Sequence, residues 1–491
     1  MLAAFILTPY IIHRIGAERF GILAIAGVFT GYFGLFDFGV GTSFVKYISE
    51  FHIKRDPEKI NQIINTGMFF YGLFAIAILI LAGLLIKPLI VFLKVPPYLR
   101  GEAGFVFFLG MVFFGISNIV SVFGAVIFGL QRMDIVNKAA IGVSVFNALG
   151  TVFFLKKGYG LSGLMINNGL TLAVSSIINI IIAFRIFPGL KLAFSYIDKA
   201  VFKKLFNFGS KLQVSYFANL VSFHTDKLLI SYFLGVGLVA FYQLASSLLQ
   251  QIRQVPLLLI SALIPAVSEI TAKDDKESLK RLYLSGSKFL ILVSAPLTVF
   301  VIAGAPLIIS AWMGDGYGLS AAASRILAAG YFAATVTGVA SSISAGAART
   351  GLDMKFGLLM AALNLFLSVY LVIKIGFIGV VLGTAVSLTV ASVFYIRIFS
   401  RYFGYSVGDF ARLLRIPLCA CVAPFLGVLA FNHLYGEVIM RSGRMVKLGA
   451  AGAAGIFFMS VYAVCVILSG YLDEYEKGIV RDKVPFLRRL F

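Results

Sequence analysis

Charged side chains are scarce in this sequence, making up 13% of the 491 residues against 60% for hydrophobic ones. So little polar surface cannot coat a water-soluble globule of this size. The charges also cluster between long apolar runs, which is the expected pattern when a charge in hydrocarbon costs several kcal/mol. The composition therefore predicts an all-α integral membrane protein.

Residues that usually carry catalysis or bind metals are also rare. The chain has only four histidines and three cysteines, and the cysteines all lie in apolar segments, which argues against a disulfide framework. No G-x-x-x-x-G-K-[ST], H-E-x-x-H or G-x-S-x-G element occurs, which argues against ATP hydrolysis and hydrolase chemistry. We expect no cofactor, no metal site and no enzymatic activity.

Basic residues give the chain a net charge of +21. They lie in short segments beside apolar runs, where they act as topology signals and attract anionic lipid, so we expect no nucleic-acid partner.

At about 20 apolar residues per crossing, fourteen helices are predicted, near 2–13, 20–48, 63–86, 103–130, 139–155, 160–184, 206–234, 238–268, 285–312, 320–347, 355–374, 378–397, 413–434 and 447–470. The first run is too short to span, which predicts a truncated first helix. With the first helix starting in the cytoplasm, the inside segments hold about twice as many Lys and Arg as the outside ones, as the positive-inside rule requires.

The chain also resembles itself at a shift of 219 residues. The matched residues are Ser49, Glu50, Lys54, Asp56 and Glu58 with Ser268, Glu269, Lys273, Asp275 and Glu277. Six crossings separate equivalent helices, so the copies run in the same direction and predict two parallel six-helix lobes around a central cavity. The predicted parts are an N-terminal lobe (1–187), a cytoplasmic linker (188–205), a C-terminal lobe (206–400) and two extra helices with a basic tail (401–491). Chance likeness between apolar segments is the alternative.

Polar residues form two stripes inside predicted helices. Helix 206–234 carries Lys211, Ser215, Asn219, Ser222 and Asp226 within an arc of roughly 80°. Helix 238–268 carries Gln243, Gln250 and Gln254 on one face, with Arg253 at the edge of that face. This helix also contains Pro256 and Pro265, which remove backbone donors and are tolerated where neighbours or water satisfy the freed carbonyls.

Arg253 has two interpretations, which the sequence leaves open. A guanidinium at mid-depth is costly unless it is wet or paired, so Arg253 either faces a hydrated cavity or forms a structural pair with an acid. The repeat places Asp37 within one turn of the level of Arg253, so the two could face each other across the lobe interface. The Phe-Asp-Phe-Gly setting of Asp37 is equally typical of a helix bend.

The segment from Phe20 to Glu50 resembles the second helix of polysaccharide-biosynthesis flippases in the multidrug/oligosaccharidyl-lipid/polysaccharide exporter superfamily. The pattern Leu130-Gln131-Arg132-x-Asp134 and the run that starts at Phe206 are similar to the same family. The resemblance implies two six-helix lobes, two additional C-terminal helices, and alternating access for a polyprenyl-diphosphate-linked glycan. It also implies a cytoplasmic-membrane location in a bacterium or archaeon.

Such a flippase needs cations for the phosphates and amide or hydroxyl groups for the sugars. The candidate substrate-binding residues are Arg253, Lys211, Gln250, Gln254, Gln243, Asn219, Ser222 and Asp226. Asp37 is expected to hold Arg253 or to couple an ion. The expected partners are the lipid-linked glycan and membrane lipids, with glycan-assembly proteins as further candidates.

Two other functions compete with this one. A cation-coupled multidrug exporter of the same superfamily would favour acidic residues in its cavity, whereas the candidates here are net basic. A membrane glycan polymerase or ligase would need a large extracytoplasmic loop, whereas all predicted outside loops are short.

Overall fold

The computed structural model describes residues 2–37, 40–260, 263–273 and 275–472, without the side chains of 2–4, 36, 42, 208, 210–223, 264 and 265. These residues form α-helices and short 3-10 turns, and no strand occurs among them. The prediction of an all-α protein is confirmed. The chain divides into two compact units.

The first unit comprises the described residues up to Gln243, together with Val369–Val380. Its helices are Leu2–Ile15 (α1), Ala17–Phe33 (α2), Val40–Ile53 (α3), Pro57–Phe92 (α4), Arg100–Gly129 (α5), Met133–Lys156 (α6), Gly160–Ile186 (α7) and Lys199–Leu234 (α8). Helix α5 packs on α3, α4 and α7, and α8 packs on α2, α3 and α4. Phe44 and Tyr71 lie at the centre of the buried core, with their rings edge to face.

The second unit comprises Leu244–Ser368 and, from Val381 onwards, the rest of the described chain. The helices from the end of the first unit onwards are Val236–Ile260 (α9), Leu263–Ala272 (α10), Lys276–Met313 (α11), Gly318–Val336 (α12), Gly338–Gly346 (α13), Gly351–Ile375 (α14), Phe377–Phe403 (α15), Val407–Ala420 (α16), Val422–Arg441 (α17) and Arg444–Leu468 (α18). Helix α11 packs on α12, α16, α17 and α18. The predicted lobe and linker boundaries stay a prediction.

Ten segments among the described residues are long and apolar enough to cross a membrane. They are Pro57–Phe92, Pro97–Gly129, Met133–Lys156, Gly160–Ile186, Lys276–Met313, Gly318–Gly346, Gly351–Ile375, Phe377–Phe403, Val407–Arg441 and Arg444–Leu468. The chain is therefore a multi-pass membrane protein. Fourteen crossings remain a prediction, and the described part of α1, at 14 residues, is shorter than a crossing requires.

Several predicted helices are interrupted. A 3-10 turn at Gly34–Asp37 follows α2 inside the predicted helix 20–48. Thr337 separates α12 from α13, where a Cβ on Gly338 would lie 2.6 Å from the side chain of Ile260. Cys421 separates α16 from α17, and Pro424 follows it and lacks the N–H that would continue the helix. These breaks place polar and small residues at bends rather than in straight helices.

Matched positions of the internal repeat have the same local structure. Asp56 caps α4 by accepting from the backbone N–H of Lys59, and Asp275 caps α11 in the same way from Ser278. Gly16 and Gly235 both have left-handed backbone angles, with φ of 84° and 97°, at the junction of two helices. The ion pairs Lys54–Glu50 and Lys273–Glu269 also match, each at 2.6 Å. These equal conformations support the repeat.

The segment between α7 and α8, which we call the strap (residues 189–198), contains a 3-10 turn at Phe194–Tyr196 and is held against α4 by side-chain amides. Asn61 donates to the carbonyl of Gly189 at 2.8 Å and accepts from the N–H of Lys191 at 2.9 Å. Asn65 donates to the carbonyl of Lys191 at 2.8 Å and accepts from the N–H of Ala193 at 2.9 Å. Further along the strap, the backbone N–H of Asp198 donates to the hydroxyl of Thr66 at 3.0 Å. Side chains of α4 thus pair with backbone groups of the strap on both sides of its 3-10 turn.

Candidate functional site

The polar face of α9 is the feature of the second unit that most resembles a binding surface. Gln250 and Gln254 are exposed on this face, and Gln243, which belongs to the first unit and lies on the same helix, is half-buried. At about 100° per residue, these three amides lie above one another along the helix. Arg253 is half-buried at the edge of the same face, as the sequence predicted. In a membrane protein, such exposed side chains meet either lipid or water.

On its other side, Arg253 borders a niche lined with hydroxyl groups. Ser294 and Thr298 of α11 contribute to this niche, as do Tyr331 and Thr335 of α12. The free space is about 10 Å³, which has room for one water at most. Hydroxyl oxygens can accept hydrogen bonds from a guanidinium without neutralising its charge. The niche therefore places several hydroxyl groups close to Arg253.

Asp37 lies at the end of the 3-10 turn after α2, in the first unit. The hydroxyl of Tyr71 donates to Asp37 Oδ1 at 2.6 Å, and the N–H of Gly41 donates to Oδ2 at 3.4 Å. Tyr71 is fully buried on α4. The turn agrees with the interpretation of Phe-Asp-Phe-Gly as a bend. Pairing of Asp37 with Arg253 stays a prediction.

Asp226 is fully buried in α8, and the hydroxyl of Tyr242 on α9 donates to its Oδ2. The adjacent Lys227 is 7% exposed. One position earlier, Thr225 shares a hydrogen bond of 2.6 Å with Tyr32 of α2. The C-terminal half of α8 therefore holds a compact group of buried polar and charged side chains, which is a candidate for ion coupling.

Four predicted residues of the α8 stripe have side chains outside the described part of the structure, namely Lys211, Ser215, Asn219 and Ser222. The described site residues fall into separate groups. Arg253, Gln250 and Gln254 share a face of α9, whereas Asp226 and Asp37 each pair with a tyrosine in the first unit.

Sequence reasoning did not identify Lys227, Tyr242 or Tyr71 as members of a site. For Lys227, a signal was present in the Thr-Asp-Lys triplet, which puts two opposite charges in an otherwise apolar run. The tyrosines gave no signal, because one polar atom on a large ring is usual in membrane helices. Tyr71 and Tyr242 belong to the site because each donates to an acid, Asp37 or Asp226, and the sequence does not show these contacts.

Comparison with known proteins adds the family. Residues 1–271 match the family described as polysaccharide biosynthesis protein. The chain belongs to this family. The matched segment includes Asp37, Asp226 and Arg253, so all three groups lie in the part of the chain that defines membership.

Two relatives are similar at the sequence level. A Shigella flexneri protein that carries the name of an O-antigen transporter is 23% identical over 312 residues, which is 63% of this chain and 72% of the relative. An uncharacterised membrane protein of Methanocaldococcus jannaschii is 20% identical over 305 residues, which is 62% of this chain and 58% of the relative.

Solved structures show the same fold. An inward-facing multidrug resistance transporter of the MATE family, in the MOP superfamily, matches with a TM-score of 0.72 at 15% identity, covering 82% of this chain and 94% of that one. The lipid II flippase MurJ matches with a TM-score of 0.64 at 17% identity, covering 95% and 98%. The predicted membership of the polysaccharide-biosynthesis family is confirmed.

Proposed function

We propose that this protein moves a polyprenyl-diphosphate-linked oligosaccharide across the cytoplasmic membrane by alternating access. The observation that carries the proposal is the position of Arg253, at the edge of an exposed row of glutamine amides on α9. Family membership supports the substrate class, since it places the chain among polysaccharide biosynthesis proteins. The proposal includes the predicted fourteen crossings and the two parallel six-helix lobes with a central cavity.

The chemistry of the α9 face suits a sugar diphosphate. A guanidinium forms two parallel hydrogen bonds to a phosphate, which fixes both its position and its orientation. Glutamine amides both donate and accept, as the hydroxyl groups of a sugar require. Arg253 would therefore hold the diphosphate while Gln250 and Gln254 contact the first sugar. The polyprenyl chain stays in the bilayer.

A transport assay with matched arginine variants tests this assignment. The gene is deleted in its host, and the lipid-linked glycan left on the cytoplasmic leaflet is measured after complementation. Arg253→Ala should lower the transport rate by about 10- to 100-fold, since one charged hydrogen-bonded contact contributes about 1.5–3 kcal/mol. Arg253→Lys keeps the charge but cannot form two parallel hydrogen bonds to the phosphate, so it should give an intermediate transport rate. The control Arg401→Ala, at an exposed position near the end of α15, should transport as the wild type does.

The outcome separates substrate binding from folding. Equal membrane levels of all variants establish that the comparison concerns activity. If Arg253→Ala complements fully at equal levels, the α9 face is not the diphosphate site. If the deletion strain accumulates no glycan at all, the substrate class is wrong.

A cation-coupled multidrug exporter is the second candidate, and one specific observation favours it. The first unit contains two acids in contact with tyrosines, Asp37 with Tyr71 and Asp226 with Tyr242. Acids of this kind suit cationic drugs or coupling ions. Efflux of a cationic dye from the same strains distinguishes the two functions. Dye efflux that is lost in Asp226→Asn, together with normal glycan transport in the deletion strain, would establish the exporter instead.

A further inference from the structure

The strap exposes apolar side chains at the end of the first unit where α4 begins. Phe194 is 85% exposed and Leu192 is 47% exposed. The backbone on either side is fixed by Asn61 and Asn65 of α4, so these side chains keep a defined position. Exposed Phe and Leu next to lysines are typical of segments that lie at the boundary between headgroups and acyl chains.

Two cavities lie between the strap and α4. The first, of about 320 Å³, is lined by Met68 and Phe69 of α4 and by Leu192, Phe194 and Ile197 of the strap. The second, of about 230 Å³, lies between α4 and the start of α8. Its lining residues include Phe69, Phe70, Leu73, Lys199 and Phe202.

The second cavity is polar at one end and apolar at the other. Thr66 and Lys199 line the end nearest the strap, and Leu73 lies two turns further along α4, roughly 10 Å away. Leu73 is exposed and Phe70 packs on Phe202, with ring centroids 5.3 Å apart. The groove therefore begins beside Asp198 and Lys199, where the Asp198 carboxylate caps α8, and runs along the apolar surface of α4.

The charges around this groove are mostly positive. Residues 187–206 contain four lysines and one acid, Asp198. The carboxylate of Asp198 caps α8 by accepting from the N–H groups of the next two helical residues. Lys199 and Lys203 are both exposed and lie one turn apart on the same face of α8. Two cations beside an apolar groove complement an anionic headgroup with an attached chain.

We propose that the strap, α4 and the start of α8 form a binding site for one anionic phospholipid. Lys199 and Lys203 bind the phosphate, and an acyl chain lies in the groove along Phe69, Phe70 and Leu73. Phe194 and Leu192 insert between neighbouring lipids and keep the strap at the membrane surface. The proposal is independent of which molecule the protein transports.

Thermal unfolding of the purified full chain in neutral detergent tests the headgroup contact. Phosphatidylglycerol and phosphatidylcholine with identical acyl chains are added separately, and the concentration that gives half of the maximal Tm shift is recorded. In the wild type, phosphatidylglycerol should raise the Tm at lower concentration than phosphatidylcholine does. Lys199→Gln/Lys203→Gln should raise that concentration for phosphatidylglycerol roughly 30-fold, since each lysine near an anionic surface changes affinity about fivefold.

The matched control is Lys156→Gln/Lys157→Gln, two exposed lysines at the end of α6. This variant should respond to phosphatidylglycerol as the wild type does. The proposal is overturned if both lipids act alike on the wild type, or if the strap variant and the control respond equally.

Three further measurements test the acyl chain and the occupant. Leu73→Trp fills the groove and should weaken the effect of phosphatidylglycerol while leaving its headgroup preference intact. Glycerol phosphate without chains should cause no shift, and an equal shift would make this an anion site rather than a lipid site. If light scattering instead shows a dimer that Phe194→Ser converts to a monomer, with no lipid effect in either form, the surface joins two copies of the chain.

Discussion

The asparagine contacts of the strap lead to a quantitative prediction about its local opening. Asn61→Ala removes two hydrogen bonds to the strap and Asn65→Ala removes two others. At about 1 kcal/mol net for each bond, either variant lowers the free energy of strap opening by about 2 kcal/mol, and the double variant lowers it by about 4 kcal/mol. Since about 1.4 kcal/mol is tenfold in an equilibrium constant, opening becomes about 30-fold and about 1,000-fold more frequent, respectively.

Hydrogen–deuterium exchange of the strap measures this opening directly. The backbone amides of Lys191 and Ala193 donate to Asn61 and Asn65, so they exchange only when these bonds break. In Asn61→Ala the amide of Ala193 keeps its acceptor, and in Asn65→Ala the amide of Lys191 does, so these amides report the opening of the strap and should exchange about 30-fold faster. Asn147→Ala, which removes a contact with Thr171 elsewhere in the first unit, should leave them unchanged. Exchange within threefold of the wild type in Asn65→Ala would refute the reasoning, because the strap would then be held by something other than these amides.

Two further substitutions test packing and charge burial, each by thermal unfolding. A Cβ at Gly21 would lie 2.2 Å from the carbonyl oxygen of Val236, so Gly21→Ala should destabilise the first unit by about 1–3 kcal/mol, whereas Gly27→Ala, which meets no atom within 4 Å, should not. Equal Tm values for these two variants would contradict the close approach of α2 and α9. Lys447 is 3% exposed and pairs at 2.6 Å with Asp315, which is 75% exposed. Asp315→Asn leaves a buried cation unpaired and should lower the free energy of unfolding by about 3 kcal/mol. Lys447→Met removes the cation and should lower it less. If Lys447→Met proves the more destabilising of the two, the lysine reaches water.

The placement of the long helices could be predicted from apolar run length, whereas their number could not. Every predicted range overlaps one helix or two consecutive helices of the structure. The length of an apolar run does not predict where the helix within it is interrupted. The Phe-Asp-Phe-Gly setting of Asp37 indicated the bend at Gly34–Asp37. The interruption at Thr337 had no such signal.

The candidate site was partly predictable for a related reason. Helical periodicity places Gln250, Arg253 and Gln254 near one face, and the structure agrees. Periodicity within one helix cannot predict which side chains of distant helices will contact it. The hydroxyl niche around Arg253 comes from α11 and α12, and the partner of Asp37 is Tyr71 on α4. In the sequence, Asn61 has no feature that distinguishes it from other helical residues, because the backbone groups that it contacts lie about 130 positions away.

That separation has a consequence for biosynthesis. Gly189, the carbonyl partner of Asn61, is synthesised 128 residues after it, which at 5–20 residues per second takes roughly 6 to 25 seconds. During this time the amide must bind water or the insertion machinery. The amino-terminal bundle therefore cannot reach its final form while the ribosome is still translating its own helices. Its last contacts form only when the chain has emerged well beyond the seventh helix.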